Sequence, residues 1–274
     1  MTFRAGVVQI TSNDDVEGNL DAVERTVRRA VQEGAQLVVV PECFAFLGRE
    51  EEKLAVAEPL PRGGPILERC RALARDQGVE LILGGFWEQG DDPRKVRNAC
   101  VQVRSDGTVG AIYRKIHLFD VDLADGTRLQ ESETVEPGSE PVVADTLLGK
   151  LGLSVCYDLR FPELYRKLVD RGAIALAVPA AFTLTTGKDH WHVLLRARAI
   201  EQQCYVLAAA QTGRHLLRDG SGRRQSYGHA LIADPWGVVL AQCGEGEGCA
   251  VATIDPEVVR GVRAQLPALR HRRL

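Results

Sequence analysis

The chain has 274 residues, 45% hydrophobic and 26% charged, with 34 basic against 37 acidic side chains and a formal net charge of −3. That composition excludes a disordered chain, the absence of a Gly-every-third period excludes collagen, and no run of about 18 apolar residues exists to form a membrane span. Mixed charge leaves no one-signed field to gather nucleic acid or an anionic membrane. The start runs straight into an apolar stretch without a basic leader, so a cytoplasmic protein is expected. Seven cysteines, an odd number without Cys-x-x-Cys spacing, argue against a disulfide scaffold and for one or more free, reactive thiols.

Apolar periodicity predicts a strand over Phe3–Ile10, a helix from Val16 to Gly34 and a buried strand at Leu37–Val40. A helix follows near Pro65–Gln77, then strands at Glu80–Phe86, Arg97–Val103 and Val109–Arg114. The second half repeats the alternation. Strands are expected at Lys150–Val155, Ile174–Val178 and Cys204–Gln211, helices at Pro162–Arg171 and Lys188–Gln202, and two last strands around the turn Asp234-Pro235-Trp236-Gly237. Helices interleaved with short apolar strands predict an α/β or layered sandwich architecture, and no linker or repeat divides the chain.

Reactive groups in such folds sit where strands end. Glu42 lies two residues past a buried strand and just beyond Pro41; taken alone it is either a catalytic carboxylate or a loop cap. Lys115 sits among bulky apolar residues, which suits a buried cation or a snorkelling surface lysine. Cys156 ends an apolar strand just before Pro162 starts a helix. At such an elbow, nearby backbone N–H groups and a helix N-terminus are expected to lower the thiol pKa; the alternative is a small core cysteine. Together the three supply a base, a cation and a nucleophile, the minimum set for acyl transfer through a thioester.

Pro41-Glu42, Tyr113-Arg114-Lys115-Ile116-His117-Leu118-Phe119-Asp120 and Cys156-Tyr157-Asp158-Leu159-Arg160-Phe161-Pro162-Glu163-Leu164 resemble, in order and spacing, the Glu, Lys and Cys motifs of the nitrilase superfamily of carbon-nitrogen hydrolases. The resemblance extends over essentially the whole chain. The Ala208-Ala209-Ala210-Gln211 run, Tyr227-Gly228-His229 and the close at His271-Arg272-Arg273 are most similar to the Nit branch, which contains deaminated-glutathione amidases and omega-amidases, and nearer the former. The resemblance implies a four-layer α-β-β-α sandwich in one domain, pairing commonly as a homodimer. It also implies a fourth polar residue, Glu131, orienting the lysine and the substrate. Asp189 and His192 depart from the family pattern beside His190-Trp191.

The expected chemistry is hydrolysis of a small, acidic primary amide to acid and ammonia. Glu42 shuttles the proton, Cys156 forms the thioester, and Lys115 with the backbone N–H of Tyr157 holds the oxyanion. An omega-amidase, a carbamoyl hydrolase and a nitrilase are alternatives within the class, and a catalytically silent partner-binding protein lies outside it. Arg160, beside the elbow, is a candidate for a substrate carboxylate, as is the Arg214–Arg224 loop, which otherwise reads as a solvated basic loop. By analogy with the family, Phe182, Thr183 and Trp191 line the acyl pocket; equally, Phe182 and Trp191 pack the core. No metal or other cofactor is expected, since zinc-ligand spacings are missing and Gly244-Glu245-Gly246-Glu247-Gly248 reads as an acidic surface hairpin rather than a phosphate cradle.

Overall fold

The computed structural model describes residues 2–122, 128–222 and 224–273, apart from the side chain of Arg128. The first half runs β1 (Phe3–Ile10), α1 (Val16–Gln32), β2 (Leu37–Val40), α2 (Lys53–Val56), α3 (Pro65–Gln77), β3 (Glu80–Gln89), β4 (Val96–Val103) and β5 (Val109–Arg114). A small hairpin, β6 (Asp120–Asp122) and β7 (Arg128–Gln130), leads to β8 (Val143–Thr146), β9 (Gly149–Leu153), α4 (Pro162–Asp170), β10 (Ala175–Ala177) and α5 (Leu184–Gln202). The chain ends with β11 (Tyr205–Ala208), β12 (Ala210–Arg214), β13 (Gln225–Tyr227), β14 (Leu231–Ala233), β15 (Val239–Gln242), β16 (Gly248–Ile254) and α6 (Pro256–Gln265).

Two sheets form. One has the order β13-β12-β1-β2-β3-β4-β5, with β16 antiparallel along β1; the other has the order β15-β14-β11-β10-β9-β8. The period-2 pattern of the buried strands explains how they stack. Val8, Val38, Val40, Leu81 and Leu83 pack with Leu20, Val23 and Val27 of α1 and Leu67 and Leu73 of α3. Their alternates Val7, Leu37, Val39 and Ile82 pack with Leu151, Leu153, Ala175, Ala177 and Leu207 of the other sheet, and Leu168 of α4 and Leu195 of α5 belong to that same core. The layers are therefore helix, sheet, sheet, helix, as expected. Among the described residues, no helix is long and apolar enough to cross a membrane.

Three expectations change. Cys204–Gln211 is not one strand: Tyr205–Ala208 pairs with β10, whereas Ala210 and Gln211 pair with Gln9 and Ile10 of β1, so the chain crosses between sheets at Ala209. The apolar run Cys204–Ala210 continues through the crossing, so nothing local marks it. Helix α5 starts four residues earlier than expected, at Leu184, because Thr183 caps it by accepting a hydrogen bond from Thr186 N. Gly244–Gly248 is no hairpin either. It carries the chain from β15 in one sheet to β16 in the other, and Gln9 Nε2 donates to the carbonyls of Gly244 and Gly246 at 2.8 and 2.6 Å.

Candidate active site

Glu42 and Lys115 follow the C-terminal ends of β2 and β5, at the same end of one sheet. Strand β3 is parallel to β2, and β4 and β5 each reverse direction, so β5 again points the same way as β2. Three strand steps still separate them, about 14 Å at ~4.8 Å per step, and the intervening strands are built to let the side chains meet. On β3 the register shifts at Gly84-Gly85. A Cβ on Gly85 would lie 2.4 Å from Cys43 N and 2.7 Å from Glu42 Cγ, and its φ of +63° favours glycine. A Cβ on Gly84 would lie 2.0 Å from Pro179 Cβ, so this pair is also where the second sheet's Pro179 loop comes down. Gly-Gly inside a strand pattern is a sequence signal for such close approach, and it points to the site. Gly85→Ala should displace Glu42, lowering activity about 100-fold and stability by roughly 1–3 kcal/mol, read from kcat and a urea midpoint. Full activity in that variant would mean that Glu42 tolerates the shift.

On β4, Asn98 bridges the gap. Its Nδ2 donates to Glu42 Oε1 at 3.0 Å and to Glu131 Oε1 at 3.2 Å. Lys115 Nζ reaches Glu131 Oε2 at 2.7 Å and Glu42 Oε1 at 3.2 Å, and the N–H of Phe119 donates to Glu131 Oε2 at 2.7 Å. The second oxygen of Glu42 accepts from Ala181 N at 3.0 Å. All of Glu42's donors thus hold it as an acceptor. Burial works against the charge on Lys115, but Glu131 and Glu42 outweigh it and raise the pKa well above the lysine range. Burial likewise opposes charge on Glu131, and the Lys115 ammonium overrides it, holding Glu131 below its ordinary value.

Cys156 follows the second sheet's β9, with a left-handed φ of +50° and its N–H donating to Pro179 O at 2.9 Å. A β-carbon in that conformation is strained, and the turn is held by Asp158, which is fully buried. Asp158 Oδ2 accepts from Val155 N at 2.8 Å and Tyr113 Oη at 2.7 Å, and Oδ1 accepts from His117 N at 3.1 Å. One carboxylate therefore ties the cysteine turn to the lysine segment across the two sheets. The thiol contrasts with the sequence expectation. Burial, then the Glu42 carboxylate with which it hydrogen-bonds, push its pKa well above the ordinary value; Lys115 and the Ala181 N–H only partly offset this. The elbow does not make a resting thiolate, because the sulfur is enclosed beside a carboxylate and α4 begins only at Pro162.

These groups open onto a cavity of about 340 Å³ whose lining includes Glu42, Lys115, Glu131 and Cys156. Its wall also holds Lys53, which the sequence did not single out, and Arg224, from the loop that the sequence offered as a candidate for a substrate carboxylate. Lys53 is buried over the Trp87 ring, 4.5 Å from its centroid, and pairs with Glu50. Arg224, at the end of the basic loop, also lines the cavity. That loop is not simply solvated, since its His215 is buried and holds Ser12 O and Ser226 Oγ at 2.8 Å each. Arg160 is not on the cavity wall. Its guanidinium lies over the rings of Tyr157 and Phe182, 5.8 and 5.2 Å away, and meets His190 Nδ1 at 3.3 Å. Trp191 is fully buried, donating to His229 O at 2.9 Å and packing 5.0 Å from Phe182, so both are core residues here. Thr183 is spent on the α5 cap. Tyr157 follows the cysteine, and its ring meets that of Phe119 edge-on at 4.9 Å.

A four-layer sandwich with glutamate, lysine and cysteine converging where its two sheets meet is the arrangement of nitrilase-fold hydrolases. The family model described as carbon-nitrogen hydrolase matches residues 4–264. A deaminated glutathione amidase of Synechocystis is 46% identical over 273 residues, covering 98% of each chain. The NitFhit protein of C. elegans superposes with a TM-score of 0.91 at 43% identity, covering 99% of this chain; this chain spans 65% of that longer protein. Saccharomyces cerevisiae Nit3, a member of branch 10 of the nitrilase superfamily, superposes with a TM-score of 0.86 at 32% identity, covering 100% of this chain and 97% of that one. The chain belongs to the carbon-nitrogen hydrolase family, and it is a hydrolase of carbon–nitrogen bonds other than peptide bonds.

Proposed function

We propose that this chain hydrolyses the amide bond of a 2-oxo-glutaramyl compound of the deaminated-glutathione type through a Cys156 thioester, the whole chain acting as a single domain. What carries the reading is the convergence of Glu42, Lys115, Glu131 and Cys156 in one cavity. The name of the Synechocystis relative and the cations Lys53 and Arg224 on the wall support the substrate class.

Glu42 takes the proton from Cys156 Sγ as the sulfur attacks the amide carbon. The oxyanion is met by Lys115 Nζ and the N–H of Tyr157, with Glu131 positioning the ammonium. As the tetrahedral adduct collapses, the C–N bond breaks and the nitrogen leaves with the proton from Glu42. The leaving group is ammonia from a primary amide, or the amine of cysteinylglycine from deaminated glutathione. Water then gives a proton to Glu42 and attacks the thioester; the acid departs as Sγ recovers its proton. No metal or redox group enters these steps.

The protein is further inferred to be cytoplasmic, in keeping with seven unpaired cysteines, and homodimeric. An exposed apolar row, Val193 and Ile200 on α5 with Trp236 and Val238 at the β14–β15 turn, supports pairing. Turnover of deaminated glutathione, 2-oxoglutaramate, carbamoyl amino acids and simple nitriles should be compared by chromatographic detection of the acid formed. Deaminated glutathione is expected to lead by at least about tenfold in kcat/KM. Preference for a carbamoyl amino acid or a nitrile would overturn the substrate assignment.

A further inference from the structure

The cavity holds three cations, and two of them are already matched. Lys115 pairs with Glu42 and Glu131, and Lys53 pairs with Glu50. Arg224 differs. Its Nη2 donates to Ala181 O at 3.0 Å, its Nε is buried with no acceptor, and no carboxylate of a described residue pairs with it. A guanidinium stays charged at any pH the protein meets, and one that lines a cavity without a carboxylate beside it is suited to pair with an anion there.

The position is also prearranged. His215 N donates to Arg224 O at 3.0 Å and closes the base of the loop, while Arg218 N donates to Asp14 Oδ1 at 2.9 Å and Asp219 pairs with Arg49. Ala181 joins the guanidinium to the reacting groups. Its carbonyl receives Arg224, and its N–H faces both Glu42 Oε2 and the Cys156 sulfur. From sulfur to guanidinium the path is two hydrogen bonds and one residue length of about 3.5 Å. Bound through its carbonyl to that sulfur, a five-carbon acyl chain can place its far carboxylate within this span.

We propose that Arg224 binds the carboxylate next to the 2-oxo group of the acyl chain, with its guanidinium donating to a carboxylate oxygen, and so selects 2-oxo acid amides over neutral ones. This deepens the amide-hydrolase reading above and rests on it for the substrate, although the anion site itself does not require turnover. Such a charge-assisted hydrogen bond accounts for roughly a 10- to 100-fold preference.

The test compares deaminated glutathione with N-(4-oxopentanoyl)-cysteinylglycine, in which a methyl group replaces that carboxylate. Wild type should favour the acid by about 10- to 100-fold in kcat/KM, and Arg224→Gln should reduce the ratio to within about threefold, mainly through KM, with partial recovery in Arg224→Lys. Binding of 2-oxoglutarate to the Cys156→Ala protein, measured by calorimetry, should weaken at least about tenfold when Arg224→Gln is added. A ratio or an affinity that Arg224→Gln leaves unchanged overturns the proposal, as does absence of 2-oxoglutarate binding to Cys156→Ala. If 2-oxoglutarate binding depends on Arg224 but neither amide is hydrolysed, the anion site stands and the proposed reaction falls.

Discussion

Cys156→Ala is expected to reduce amide hydrolysis by at least about 10⁴-fold, because Cys156 is the proposed nucleophile and removing it from a unit of cooperating groups forfeits most of what the unit does. The effect should be in kcat, with the fold intact, since a small buried side chain is replaced by a slightly smaller one. Intact mass after acid quench should show an acyl adduct on wild type and none on Cys156→Ala. Cys70→Ala should behave as wild type, because Cys70 is buried against α1 and β3 in the other helical layer. The direction of the thiol pKa adds a second readout. Since Cys156 lies well above its ordinary range, thiolate absorbance should be absent at pH 8, whatever the catalytic rate. A mutant at full rate, or an adduct on another cysteine, would sink the thioester mechanism.

Lys115→Met carries the next largest effect and acts on two levels. Chemically, loss of one oxyanion donor costs about 10²–10³ in kcat. Energetically, Glu42 and Glu131 remain buried with their common cation gone, and breaking a buried pair from one side costs roughly 3–5 kcal/mol. Stability of the variant should then depend on pH in the opposite sense to wild type at this site. In wild type, Glu131 has a lowered pKa, so its contribution is present above the unfolded carboxylate value and is lost as pH falls through the folded value. Without Lys115, burial is the dominant cause and raises the Glu131 pKa above the unfolded value. The variant should therefore be relatively more stable near pH 4 and lose stability as pH rises from there toward neutrality. Urea midpoints at pH 4, 5.5 and 7 measure this. A variant within tenfold of wild-type activity would remove Lys115 from the oxyanion role, and one whose midpoint rises with pH like wild type would remove it as the cation that holds Glu131 ionised.

Both variants act on residues whose identity was legible in the one-dimensional chain. Glu42, Lys115 and Cys156 each follow an apolar strand, and strand ends are where α/β folds expose polar groups, so local pattern located them without coordinates. Glu131 was reachable only through family resemblance, because a carboxylate after a three-residue strand and a short turn has no local signature. The alternation of helices and apolar strands likewise determined the layered α/β architecture, since a strand with both faces apolar needs cover on both sides.

Other features depend on which distant groups become neighbours. Whether Cys204–Gln211 is one strand or two turns on the partners waiting at β10 and β1, not on the apolar residues themselves. Residue type alone did not separate Arg160, held over aromatic rings, from Arg224, which faces the cavity; both are arginines next to plausible site segments. The thiol of Cys156 illustrates the difference most directly. Chain position predicted a lowered pKa from nearby N–H groups, but tertiary packing enclosed the sulfur and set a carboxylate 114 residues away beside it, and burial with like charge outweighs the local donors. Periodicity is a property of neighbouring residues and survives in the sequence. Protonation state and site membership come from burial and long-range pairing, which exist only once the two sheets have closed on each other.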